Sequence, residues 1–106
     1  MKMITRTEEM ILLAVLNLKQ DAYLVSIQNY LVDMSKKKWS MTSVHLPLNR
    51  LEKHKYLDSR LGGATAVRGG RRKKIYSVTS SGLEALNEYR DLSNKLWNDY
   101  LGMGTS

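Results

Sequence analysis

The residues of this chain best suited to chemistry are basic or short and polar, and they cluster. Lys36-Lys-Lys38 is followed by Ser40, Thr42, Ser43, His45, Asn49 and Lys53, and then by Arg68, Arg71, Arg72 and Lys73. Lysine and arginine neutralise phosphates and release condensed counterions, whereas hydroxyls and an amide can read base edges. That pattern belongs to nucleic-acid recognition. Catalysis has no comparable basis: no nucleophile stands beside an identifiable base, and no paired-carboxylate signature is present. Neither phosphate-binding Gly-x-x-x-x-Gly-Lys nor dinucleotide-binding Gly-x-Gly-x-x-Gly occurs. His45 and His54 are the two histidines, too few and too differently facing for a metal site, and cysteine is absent. The sequence therefore predicts a non-enzyme with no metal and no cofactor.

These side chains need a helix and a hairpin to position them. Ser40 is a good N-cap, because its hydroxyl can accept from a free amide of the first turn, and Val44, Leu48 and Leu51 then recur at helical spacing as a buried stripe. At ~100° per residue, Thr42, Leu46, Asn49, Arg50 and Lys53 fall on the opposite face, with His45 on its flank. Pro47 lacks an amide to donate, so the helix is expected to start near Leu46 or to carry an irregular first turn. Beyond it, Tyr56, Asp58 and Arg60 alternate with Leu57, Ser59 and Leu61, and Tyr76 and Val78 share one face of a second strand. Gly62-Gly63 and Gly69-Gly70 bracket the loop between them, which ends in Arg68, Arg71 and Arg72. A helix with a basic face beside an arginine-tipped hairpin is the outline of a winged helix.

Three runs carry a family resemblance: Leu48-Asn-Arg-Leu-Glu52, Arg68-Gly-Gly-Arg-Arg-Lys-Lys-Ile-Tyr76 and Val78-Thr-Ser-Ser-Gly82. They resemble the PadR family of bacterial transcriptional regulators, and the similarity extends from Glu9 to about Trp97. In that family a recognition helix ends in Leu-x-Arg-Leu-Glu, and the wing carries Gly-Gly-Arg-Arg-Lys-x-Tyr-Tyr. Leu-Thr-x-x-Gly opens a C-terminal dimerisation helix. The chain departs from the pattern at Thr42 and His45, where the family has Gly and Tyr, and at Tyr23-Leu24, where it has Tyr-Gly. The resemblance implies a homodimeric repressor. Its fold would be mainly α with a small β-hairpin, a winged helix-turn-helix over residues 1–79 and a dimerisation helix with a short tail over 80–106.

Charge supports a polyanion partner once it is located. The net charge is +7, but Lys36 to Tyr76 holds twelve of the seventeen basic residues against Glu52 and Asp58, so this segment carries +10 and the rest −3. Double-stranded DNA is the expected partner, with Thr42, Ser43, His45, Asn49 and Lys53 in or beside the major groove and the wing on neighbouring backbone or minor groove. Asn49 is the best candidate for a base contact, its amide matching adenine N6 and N7, while Arg50 is available to a local carboxylate. Lys36 to Lys38 abut the N-terminus of the recognition helix, where phosphate contacts are expected. A protein-docking face and a small RNA-binding protein are the rivals, although no aromatic stacking platform for RNA is visible.

The remaining elements are read from caps and periodicity. Thr5-Arg-Thr-Glu8 matches a capping box before a first helix at about Arg6 to Leu18, whose Met10, Ile11, Leu13, Ala14, Val15 and Leu16 place it centrally in the core. A second helix is expected from about Ala22 to Met34, carrying Leu24, Ile27, Leu31 and Met34, with Tyr23 and Tyr30 at the core edge. The last begins at a Thr79 or Ser81 cap and runs to about Leu101. Its Leu83, Leu86, Tyr89, Leu92, Leu96, Trp97 and Tyr100 form an apolar face wider than a small core absorbs. A second copy of the chain is the expected cover, and the aromatics could line a crevice for a flat aromatic effector. At 106 residues one small domain is expected. The longest apolar run, Met10 to Leu16, is far short of the ~20 residues of a membrane span, and a cytoplasmic protein without a membrane partner is expected.

Overall fold

The computed structural model describes residues 3–62 and 73–102. Helix α1 spans Arg6–Leu18 and starts where its capping box dictates: Thr5 N donates to Glu8 Oε1 at 2.8 Å and Glu8 N to Thr5 Oγ1 at 3.1 Å. One face, with Ile11, Leu12, Ala14 and Val15, is buried against α2, α3 and the hairpin. Leu13 and Leu16, expected inside, are about two-fifths exposed on the other side. A helix that packs on one side cannot hide the seven consecutive apolar residues from Met10 to Leu16 within a single chain.

A 3-10 turn at Lys19–Asp21 leads to α2, Leu24–Ser35, which buries Ile27 and Leu31. The expected start at Ala22 is displaced because that residue is extended and its carbonyl accepts from Tyr76 N at 2.8 Å. Ser26 Oγ accepts from Tyr23 N at 2.9 Å and fixes the true beginning. At the far end Lys36 adopts a left-handed conformation with φ 58°. Trp39 then anchors the turn, its indole donating to Ser35 Oγ at 3.0 Å while Gln28 Nε2 donates to its carbonyl at 2.6 Å.

Helix α3 runs without interruption over Met41–Lys53, capped by Ser40, whose Oγ accepts from Ser43 N at 3.0 Å. The expectation of a start near Leu46 is therefore corrected. Pro47 lies inside the helix and is buried with Val44, Leu48 and Leu51, completing their stripe at i, i+3, i+4 and i+7. It deprives Ser43 of an amide partner, but Ser43 is exposed and water can supply the missing donor.

Strands β1 (Leu57–Leu61) and β2 (Lys74–Val78) pair antiparallel, Leu57 opposite Val78 and Ser59 opposite Tyr76. Leu57 and Tyr76 turn inward and join the helical core. Helix α4 spans Ser80–Leu101, and of the two candidate caps it uses Thr79, whose Oγ1 accepts from Gly82 N at 3.0 Å and donates to Lys55 O at 2.7 Å. Ala85 and Leu86 are buried in the common core and Tyr89 packs on it. Leu86 thus faces its own core, a correction to its expected place on an outward face: the first turns of α4 lie on the domain, and side chains pointing inward there are spent. Beyond Tyr89 the helix projects, leaving Leu92, Leu96, Trp97 and Tyr100 exposed. The architecture is mainly helical with one hairpin, as the sequence predicts. No helix among the described residues is long and apolar enough to cross a membrane.

Candidate nucleic-acid interface

The buried stripe of α3 fixes what the helix offers to its surroundings. With Val44, Pro47, Leu48 and Leu51 inward, Thr42, His45, Leu46, Asn49, Arg50 and Lys53 are all exposed on the outer side. Lys36, Lys37 and Lys38 are exposed at its approach. Ser40 and Ser43 are exposed too, but their hydroxyls serve the cap, Ser43 Oγ donating to Ser40 O at 2.7 Å.

Two contacts order this face. Asn49 Nδ2 and His45 Nε2 lie 3.2 Å apart, one helical turn from each other. Arg50 Nε donates to Glu8 Oε2 at 3.3 Å, which ties the outer edge of α3 to the cap of α1 while half of the arginine side chain remains exposed. Arg50 thus pairs with a carboxylate, but not with the local one expected. That partner is 42 residues away and carries no local signal, so sequence reasoning could not name it.

The end of α3 is joined to both strands through Glu52. Lys74 Nζ lies 2.8 Å from Glu52 Oε1, and Ser59 Oγ donates to the same carboxylate. Those hydrogen bonds hold the Glu52 carboxyl below its usual range, and the bond from Lys74 to Glu52 raises the Lys74 ammonium above its own. Burial pushes the Tyr76 phenol up. Lys73 sits just before β2 with its ammonium 4.1 Å from the centre of the Tyr23 ring, a cation–π contact that orients the base of the wing. Arg68, Arg71 and Arg72 lie outside the described residues. The hairpin base and α3 are thus one connected unit, and nothing in the sequence marks its linking residues as links.

Solved structures share this fold. A PadR family transcription regulator from hypervirulent Clostridium difficile R20291 superposes with a TM-score of 0.66 at 21% identity, over 92% of this chain and 99% of that one. This is the fold of the PadR regulators. A PadR-like transcriptional regulator from Bacillus cereus strain ATCC 14579 gives a TM-score of 0.64 at 24% identity, over 89% of each chain. A point mutant of S. aureus MepR, solved bound to an oligodeoxyribonucleotide, gives 0.61 at 18% identity, over 93% of this chain and 64% of that one. No family model and no curated protein matches the sequence. In this fold α3 is the third helix of the winged helix-turn-helix and β1–β2 is its hairpin wing.

On α4, Leu83, Leu92, Leu96, Trp97 and Tyr100 are exposed, unlike Leu86 and the half-buried Tyr89. Trp97 and Tyr100 meet edge to face with centroids 6.3 Å apart, and with Ser93 and Leu96 they line an open groove.

Proposed function

We propose that this chain is a sequence-specific double-stranded DNA-binding transcriptional regulator that acts as a homodimer, and that it represses. One observation carries the reading: the outer face of α3 presents Thr42, His45, Asn49 and Lys53 to solvent behind a basic approach of three exposed lysines. A helix so furnished suits a major groove, the lysines meeting phosphates and the polar side chains meeting bases. The DNA-bound state of MepR supports the same use of the same fold.

The dimer is supported by the amount of apolar surface left over. Leu92, Leu96, Trp97 and Tyr100 on α4 and Leu13 and Leu16 on α1 are exposed in one copy. Covering both helices with the equivalent helices of a second copy removes that surface from water and gives two recognition helices related by a two-fold axis. The groove at Ser93, Leu96, Trp97 and Tyr100 would then border the interface and suit a flat aromatic effector.

Footprinting on the DNA upstream of the protein's own coding region tests the reading. A protected, two-fold-related site is expected. Equal binding to operator and scrambled duplex would move the rival roles, docking an acidic protein or binding RNA, ahead of it.

A further inference from the structure

Recognition helices most often read guanine, through an arginine or lysine that bridges O6 and N7. This one is poorly equipped to do so. From Met41 to Asn49 it contains neither residue. Arg50 has its Nε on Glu8, and Lys53 is the final residue of the helix, away from the N-terminal turns that usually meet base edges.

What the face does offer is an amide and an apolar tip. Leu46 is 51% exposed in the middle of an otherwise polar surface, whereas Leu48 and Leu51 of the same helix are buried. Among the bases, thymine alone presents a methyl group in the major groove. Asn49 lies three residues on, on the same face. With the His45 proton on Nδ1, one Nδ2 hydrogen of Asn49 goes to His45 Nε2 at 3.2 Å. The second hydrogen and Oδ1 remain as a donor and an acceptor side by side. Adenine N7 and N6 require that pair.

We propose that α3 reads A·T base pairs: Leu46 is a specificity residue packed on a thymine methyl, and Asn49, positioned by His45, pairs with an adenine. Three residues of helix rise about 4.5 Å, more than one base-pair step of ~3.4 Å, so the two side chains address neighbouring pairs. The proposal rests on the DNA-binding reading and adds to it the chemistry of the preferred site.

The experiment selects bound duplexes from a random pool with the full-length protein, then alters single atoms in the enriched site. Enrichment of adjacent A·T pairs in each half-site is expected. Replacing the critical thymine by deoxyuridine, which removes only the methyl, should weaken wild type about fourfold and leave Leu46→Ala unaffected. Replacing the adenine by 7-deazaadenine should weaken wild type at least about fivefold. That penalty should shrink in His45→Ala and vanish in Asn49→Ala, a response that general loosening of the fold would not produce. Leu46 is exposed, so its variant should melt with wild type. Enrichment of G·C pairs at the core of the site, or a wild-type protein indifferent to deoxyuridine, overturns the A·T assignment and leaves DNA binding standing. No enrichment of any sequence overturns the DNA-binding reading itself.

Discussion

Arg50 Nε and Glu8 Oε2 are 3.3 Å apart, and the other oxygen of the same carboxylate accepts from the amide of Thr5. One nearly buried side chain thus caps the first helix and holds the edge of α3. The two partners should differ sharply in their contribution to stability. Glu8→Ala removes half of the capping box as well as the ion pair and should cost about 1–2 kcal/mol. Arg50→Ala should cost less than about 1 kcal/mol, because the guanidinium is half exposed and screened by solvent. Urea midpoints of the two variants decide it: equal losses would mean that the interhelical pair, not the cap, is what matters.

A second expectation concerns pH. The Glu52 carboxyl is lowered in the folded chain, so the folded state binds fewer protons than the unfolded one near the ordinary carboxylate pKa. Its contribution is present above that value and is lost as pH falls through the folded pKa. Lys74 and Tyr76 are both raised, so at alkaline pH the folded state holds protons that the unfolded chain has released. Their contribution is complete below the unfolded pKa values and is lost as pH rises through the folded ones. Glu52→Gln should flatten the acid side of the stability–pH curve and remove part of the alkaline decline assigned to Lys74. Tyr76 is raised by burial first, so a residual alkaline decline should survive. Urea titrations from pH 3 to 11 would show it, and an acid limb unchanged by Glu52→Gln would refute the assignment.

Much of this fold is legible because its signals are local. Thr5 and Glu8 lie within one turn of each other, and the α1 boundaries follow from them. Pro47 misleads for a physical reason: proline usually breaks a helix through a missing donor, yet here the deprived residue is exposed and the ring fills the apolar stripe. Ala22 reads as helix by periodicity, and a backbone bond from Tyr76, 54 positions away, holds it extended. The face of α3 is readable, since one buried stripe defines its opposite. Its internal order is not. The Glu8–Arg50 and Lys73–Tyr23 contacts join segments that only the tertiary fold brings together, and the division of α4 into an inward Leu86 and an outward Leu96 depends on where the helix leaves the domain.

Gly82 makes a close approach to the hairpin. A Cβ there would stand 2.3 Å from the Tyr56 carbonyl oxygen and 2.8 Å from Val78 Cγ1. The first of these is backbone, held where Tyr56 O accepts from Thr79 N, and cannot swing aside. Gly82→Ala should therefore destabilise by about 1–3 kcal/mol, despite alanine's better helix propensity. Thermal melting checks it; a variant as stable as wild type would mean that α4 can shift off the hairpin without penalty.

The projecting half of α4 allows assembly to be tested without opening the core. A chain ending at Arg90 keeps Ala85, Leu86 and Tyr89 on the core and discards Leu92, Leu96, Trp97 and Tyr100. Full-length protein should sediment as a dimer and the shortened chain as a folded monomer with unchanged helical signal in α1 to α3. Equal assembly states for the two chains would remove α4 from the interface.

The last expectation separates the lysine approach from the proposed base-reading face of α3. Lys37 and Lys38 are exposed beside the start of α3, where phosphates flanking a groove-bound helix would lie. A phosphate contact acts through released counterions, so its loss weakens binding on every sequence alike and lowers the slope of log affinity against log salt by ~0.9 per contact. Lys37→Ala with Lys38→Ala should thus reduce that slope by up to about 1.8 on the selected site and on scrambled duplex together, leaving their affinity ratio unchanged. Asn49→Ala should do the reverse, keeping the slope while the ratio falls. The measurement is a salt titration of fluorescence anisotropy on both duplexes for the three proteins. If the double lysine variant keeps the wild-type slope, these lysines do not meet the backbone and the positive charge of this segment acts elsewhere. If it loses sequence preference instead, the approach to α3 takes part in reading bases, and the assignment of roles along the helix must be reversed.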